Sequence, residues 1–282
     1  MIIYDSHNDL LYKYKTKSKI KQYLNCIPTN VKKIFCAYFS YNESNASICD
    51  MKKKFSYLDS RCIKTIENAW FLNTSNFEEV VKENVFCLTL CHNKNNKLCG
   101  GALDNGVITN MGYFLINELE NNQIIIDTAH MNEQSFWDFV QATKYPIFNS
   151  HSGFFDIFPH KRNLKQNQIE EIVKSKGYIG LTVYPKFFSN NLVSSKKLVD
   201  AIFWFWNKYG TNTLGIGTDF NGIDLYFDDI KNYRDFKNLE IKLKERGARK
   251  TDIQKLFNKN LKNYYKRIGT SSYSSIKTFS SL

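Results

Sequence analysis

Short β-rich runs alternate with helical stretches along most of this chain, and that alternation constrains the fold more than any other feature. The runs fall at residues 2–7, 33–40, 62–67, 85–92, 123–130, 146–151, 178–184 and 213–219. Helical periodicity marks 110–120, 132–143, 167–176 and 194–209, with a short, weak helix at 77–82 and a late one at 252–268 behind Thr251 as N-cap. Eight strands interleaved with helices predict a parallel sheet closed into an α/β, TIM-type (β/α)8 barrel. A chain of 282 residues suits one such barrel. Residues 1–268 therefore read as a single catalytic domain, and the Ser- and Thr-rich stretch 269–282 as a flexible tail.

Where the polar residues fall carries the functional signal. Six of the runs end in, or lead straight into, a residue able to bind a metal or move a proton: His7, Glu67, His92, His130, His151 and Asp219. Barrel chemistry collects at the carboxyl ends of the strands, so this repeated placement points to one shared site. His7 and Asp9 are two residues apart, which in extended backbone turns both side chains to one side. Strand alternation groups His130 with Ile124, Ile126 and Thr128, and His151 with Ile147 and Asn149, on the face expected to line the barrel. Histidines and carboxylates without a thiolate suit zinc or a related divalent ion. Glu67 closes an apolar run, where an unpaired carboxylate is costly, and a bridging position between two ions would pair it.

Taken in order, DSHNDL, TIENAW, LTLCHN, IIIDTAH, IFNSHS, the Arg162–Asn163 pair, GLTVYP and GTDFNG resemble the membrane (renal) dipeptidase family, zinc metallopeptidases of the amidohydrolase superfamily. The resemblance runs from residue 2 to about 268. It implies that His7 and Asp9 bind one zinc, that His130 and His151 bind a second, and that Glu67 bridges them. It also implies that His92 contacts the substrate carbonyl and stabilises the oxyanion, and that Arg162 holds the substrate's terminal carboxylate. Asp219 would hydrogen-bond the metal-held water and shuttle its proton. The expected reaction is hydrolysis of dipeptides with a free C-terminus, L,L and also L,D, and the expected assembly is a homodimer. The same ligand set would also serve a non-dipeptide amide, a lactam or a lactone, because a fold hosts many chemistries. A non-catalytic binding protein is the remaining reading.

Three departures from the family bear on specificity. The stretch between Asn8 and Glu67 is short, CHNKNNKLCGG replaces a loop that often carries acidic and aromatic residues, and Asn221 stands where Asp is common. His160 reads as structural or as part of the rim, and Tyr184 and Phe188 as candidates to line the pocket.

Composition narrows the surroundings. The net charge of +12 comes from scattered, Lys-biased residues with no long basic run, so it reads as a solvated surface that favours anionic substrates and not as a nucleic-acid footprint. The opening residues show no secretory signal and no run spans a bilayer, so no membrane partner is expected. Seven cysteines, odd in number and mostly in apolar runs, suit a reducing, cytoplasmic setting. If His92 points inward, Cys87 and Cys91 should point away from the barrel axis.

Overall fold

The computed structural model describes residues 1–40, 46–191 and 193–270. Eight parallel strands pair in chain order: β1 (Ile3–Asn8), β2 (Val31–Phe39), β3 (Cys62–Glu67), β4 (Cys87–Thr89), β5 (Ile125–Asp127), β6 (Phe148–Ser152), β7 (Tyr178–Leu181) and β8 (Leu214–Ile216). The ring closes at its upper rim, where Asp219 N–H donates to the His7 carbonyl (3.1 Å) and Asp9 N–H to the Phe220 carbonyl (2.9 Å). With helices between the strands, this is the (β/α)8 barrel that the alternation predicts.

Side-chain caps start two of the helices between strands. Thr109 accepts from Gly112 N–H at the head of Asn110–Asn121, and Asn132 from Ser135 N–H at the head of Glu133–Ala142. The last helix begins earlier than expected. Arg249, not Thr251, takes the N-cap of Lys250–Gln254, and the chain continues through a π turn at Lys255–Lys259 into Asn260–Thr270. That helix takes in Gly269 and Thr270; residues 271–282, the rest of the expected tail, lie outside the described residues. Among the described residues no helix is long and apolar enough to cross a membrane.

The apolar core has two layers. One lies between strands and helices and contains Ile3, Ile34, Ile66, Leu88, Ile126, Ile147, Ile179 and Ile216. The other fills the barrel: Tyr4, Phe35, Cys87, Ile125, Phe148 and Tyr178 meet Leu261, Tyr264 and Ile268 of the last helix. Phe148 stacks on Tyr178 with centroids 5.3 Å apart. These layers overturn the expected strand parity. Ile124, Ile126 and Ile147 belong to the outer layer, and Ile125 and Phe148 to the inner one. Cys87 is also inside; only Cys91 lies in the outer layer. The physical reason is that β4 stops at Thr89 and β5 at Asp127, so counting back from His92 or His130 crosses a loop where alternation no longer holds.

Above the inner layer the barrel is narrow. The Ser150 carbonyl accepts from Ser6 Oγ at 2.7 Å. A Cβ on either Gly180 or Gly217 would collide with that same oxygen, so both positions require glycine for close approach. The β6–β7 register shifts between Asn149 and Ser152, and this irregularity carries His151 round to the site.

Candidate active site

His92, His130 and Asp219 each lie three residues past the last residue of β4, β5 and β8 respectively. They reach the site through turns, not strand pleating. His130 (φ 71°) and Asp219 (φ 63°) adopt left-handed backbone, as do Asn68 after Glu67 and Asn93 after His92. Asparagine and aspartate tolerate that conformation, whereas for most other non-glycine residues it costs roughly 1–2 kcal/mol. At His130 this strain sits on the functional residue itself.

The turns gather the predicted residues into one buried cluster. Glu67 Oε1 lies 2.7 Å from His130 Nε2 and 3.7 Å from both His7 Nε2 and His151 Nε2. His7 Nε2 is 3.3 Å from Asp9 Oδ2 and 4.0 Å from Asp219 Oδ1. His130 Nε2 and His151 Nε2 are 3.0 Å apart. Three overlapping groups have ligand atoms close enough to share an ion: His7–Glu67–His151, Glu67–His92–His130 and His7–Asp9–Asp219. Glu67 belongs to two of them, and so does His7. The grouping also brings His92 and Asp219 within reach of an ion, beyond the five ligands that the family resemblance implies.

The electrostatics of the cluster are those of a cation site. Burial raises the pKa of both Asp9 and Asp219, and neighbouring carboxylates raise it further. Burial opposes the protonation of His7, yet Asp9, Glu67 and Asp219 raise its pKa to about 10. Burial, helped by Arg162 and neighbouring imidazoles, holds His130 and His151 well below the ordinary histidine value. Glu67 is lowered: burial acts against its charge, but His92, His7 and His151 outweigh it. Asp9 Oδ1 is buried with no hydrogen-bond partner among the described residues. A proton on His7 and the guanidinium of Arg162, which donates to His151 Nε2 at 3.0 Å, supply positive charge beside the carboxylates. A divalent cation would do so more fully and would give Asp9 Oδ1 its partner. The residues present therefore fit metal ions.

Several positioning groups escaped the sequence reading. His130 Nδ1 lies 2.8 Å from Asn93 Oδ1, and His151 Nδ1 lies 2.7 Å from Ser150 Oγ. Both contacts occupy the ring nitrogen remote from the cluster, the usual way an outer hydrogen bond orients a ligand histidine. Beneath the site, Asp5 accepts from Thr218 N–H (2.8 Å), Thr218 Oγ1 (2.6 Å), Tyr233 Oη (2.5 Å) and His7 N–H (3.2 Å), tying β1 to the turn that carries Asp219. Asn221 Nδ2 donates to Asn8 Oδ1 (2.9 Å) nearby. A buried Asp inside the first strand was the one available signal, and the adjacent His7 and Asp9 masked it.

The cluster forms the floor of a cavity of about 500 Å³, a size that suits a small peptide. His92 lines it, with its ring 4.4 Å from that of His130. Arg162 and Tyr184 face the same space. His160 is on the rim, where it accepts from Arg162 N–H (3.2 Å) and packs on Phe187. Phe188 does not line the cavity. It is buried against Phe227, and Phe187 takes the expected place because a short 3-10 turn at Pro185–Phe187 rotates the segment.

Sequence comparison decides the family. The chain matches Membrane dipeptidase (Peptidase family M19) over residues 11–272. It belongs to the membrane dipeptidase family. Curated relatives of this family member are distant. Dipeptidase tcpJ of Claviceps purpurea is 23% identical over 180 residues, covering 62% of this chain and 42% of that protein. An uncharacterized dipeptidase of Schizosaccharomyces pombe is 26% identical over 186 residues, covering 63% of this chain and 45% of the relative. The matched stretch thus spans less than half the length of these curated relatives. Solved structures show the same barrel. A metallo peptidase from Rhodobacter sphaeroides, liganded with a phosphinate mimic of the dipeptide L-Ala-D-Ala, superposes with a TM-score of 0.81 at 15% identity, covering 95% of this chain and 99% of that one. An amidohydrolase from Pseudomonas aeruginosa gives 0.83 at 16% identity, covering 95% and 96%.

Proposed function

We propose that this protein is a metal-dependent dipeptidase that hydrolyses dipeptides bearing a free C-terminal carboxylate. The observation that carries the reading is the juxtaposition of Glu67, shared by three imidazoles within 3.7 Å, and Arg162 on the wall of the same cavity. Family membership and the dipeptide mimic bound by the Rhodobacter neighbour support it.

His7 and Asp9 would hold one ion and His130 and His151 a second, with Glu67 between them. The donor set of imidazoles and carboxylates suits two Zn²⁺. Bound zinc would supply Lewis acidity and lower the pKa of a water towards neutrality. The chain's own residues do the rest. Arg162, on the wall of the same cavity, pairs with the substrate carboxylate and sets the register of the peptide. This excludes substrates with a blocked C-terminus. His92, half-buried on the cavity wall, donates to the scissile carbonyl oxygen as negative charge builds there, a kind of contact worth about 3–4 kcal/mol. Asp219 faces the cavity beside His7 and takes the nucleophile's proton, then returns it to the leaving amine. His7 would hold its ion as the neutral imidazole, the form in which a histidine acts as a ligand.

The deciding experiment measures amino-acid release from L,L and L,D dipeptides by zinc-reconstituted protein beside a chelated sample. Metal-dependent release that fails on tripeptides and on C-terminally amidated dipeptides is expected. Equal turnover of amidated dipeptides, or undiminished hydrolysis by Arg162→Ala, would remove the carboxylate clamp.

A further inference from the structure

A second hollow, of about 310 Å³, adjoins the first, and Leu103, His160 and Arg162 line both. Arg162 therefore belongs to the wall that the two hollows share. Thr128, Asn149 and Ser152, all buried, line the second hollow. Thr128 and Asn149 are polar although Ile126 and Ile147, two residues before them, belong to the apolar outer layer.

The hydrogen bonds define what this hollow lacks. Thr128 Oγ1 donates to the Phe148 carbonyl (2.9 Å) and so accepts from Asn149 Nδ2 (3.2 Å). That fixes the Asn149 amide with its oxygen elsewhere. Asn149 Oδ1 and Ser152 Oγ, both buried, have no partner among the described residues. Leaving such atoms unmatched costs roughly 1–3 kcal/mol each, so a ligand that donates to them gains that much. The charged lining is close to balanced, with Lys165 paired to Glu133 at 2.6 Å. An acceptor such as Asn149 Oδ1 disfavours a carboxylate, and Lys161 and Arg162 disfavour an ammonium group.

We propose that this hollow is a side-chain subsite for an uncharged hydrogen-bonding group, a carboxamide or hydroxyl, carried by the residue whose carboxylate Arg162 holds. The proposal rests on the dipeptidase reading for that carboxylate and adds the chemistry of the C-terminal side chain.

Free L-glutamine and L-leucine are suitable probes, since both carry the carboxylate and a side chain of similar reach but no scissile bond. In titration calorimetry of the zinc-loaded protein, glutamine is expected to bind about tenfold tighter than leucine, the worth of one matched buried acceptor. Asn149→Leu should erase the preference, and Ser152→Ala should reduce it a few-fold. Equal binding of the two amino acids, or no binding of glutamine, overturns the subsite. So does a preference that survives in a folded Asn149→Leu protein. If that variant does not fold, the wild-type ratio and Ser152→Ala still decide. A glutamine preference without dipeptide hydrolysis keeps the subsite and retires the dipeptidase reading; hydrolysis without a preference does the reverse.

Discussion

Asn93 holds His130: its Oδ1 lies 2.8 Å from His130 Nδ1, leaving His130 Nε2 directed at Glu67 Oε1. Both residues sit in left-handed backbone, in loops that follow neighbouring strands, so neither side chain is aimed by a strand. Asn93→Ala should weaken metal affinity by about 10- to 100-fold, the usual effect of losing an outer hydrogen bond to a ligand histidine. A chelator competition assay measures this directly. Unchanged affinity would mean that packing alone orients the ring.

Removing metal should loosen the fold as well as stop hydrolysis. Ligands that bind only the folded state stabilise it by about 2.7 kcal/mol at a concentration 100 times their dissociation constant. The buried carboxylates of Asp9, Glu67 and Asp219 add mutual repulsion when no ion is present. Calorimetric melting of chelated and zinc-reconstituted protein should give a clearly higher Tm for the latter, with two ions per chain by elemental analysis. Coincident melting curves would argue against a metal centre.

Asp219→Asn should trade activity for stability. The substitution removes a buried carboxylate whose charge is opposed by burial and by Asp9 and Glu67, and asparagine accepts the φ of 63° readily. The metal-free variant should be more stable by about 1 kcal/mol in urea unfolding, with hydrolysis lost or nearly so. Retained activity would remove Asp219 from proton transfer.

Gly217→Ala should be among the most damaging methyl additions in the protein. The new Cβ would collide with the Ser150 carbonyl, in the β6 segment that delivers His151. Overpacking of this kind costs about 1–3 kcal/mol. Here it should lower zinc occupancy along with Tm. A normal Tm and full occupancy would show that β6 can shift freely.

An acid-dependent stability term should arise far from the site. Burial acts against the charge of Asp229, but Lys242 and Ser195 outweigh it and hold its carboxyl below the ordinary range. A depressed folded-state pKa stabilises the fold above the unfolded value, about 3.9, and that contribution fades as pH falls through the folded value. Asp229→Asn should therefore cost about 1 kcal/mol near neutral pH, discounted for partial exposure, and progressively less below about pH 4. Urea unfolding of both proteins across that range checks the sign. A difference that grows on acidification would reverse it.

The sequence by itself determined the barrel and the inventory of the site. Eight runs in order and a His, Asp or Glu after most of them are local properties, written in periodicity and residue type, and each survives into the structure at the strand ends. The direction each side chain takes was decided only by the tertiary structure. Alternation sent Ile126 and Ile147 inward with the histidines, whereas both lie in the outer layer. His130 and Asp219 are turned by left-handed residues past the strands, and His151 by a register shift in β6. Those conformations pay off only when distant partners exist to hold them: Thr218 on Asp5, 213 positions away, and Asn93 on His130, 37 away. Contacts at that separation leave no periodic trace in a chain, so they become visible only once the barrel has closed.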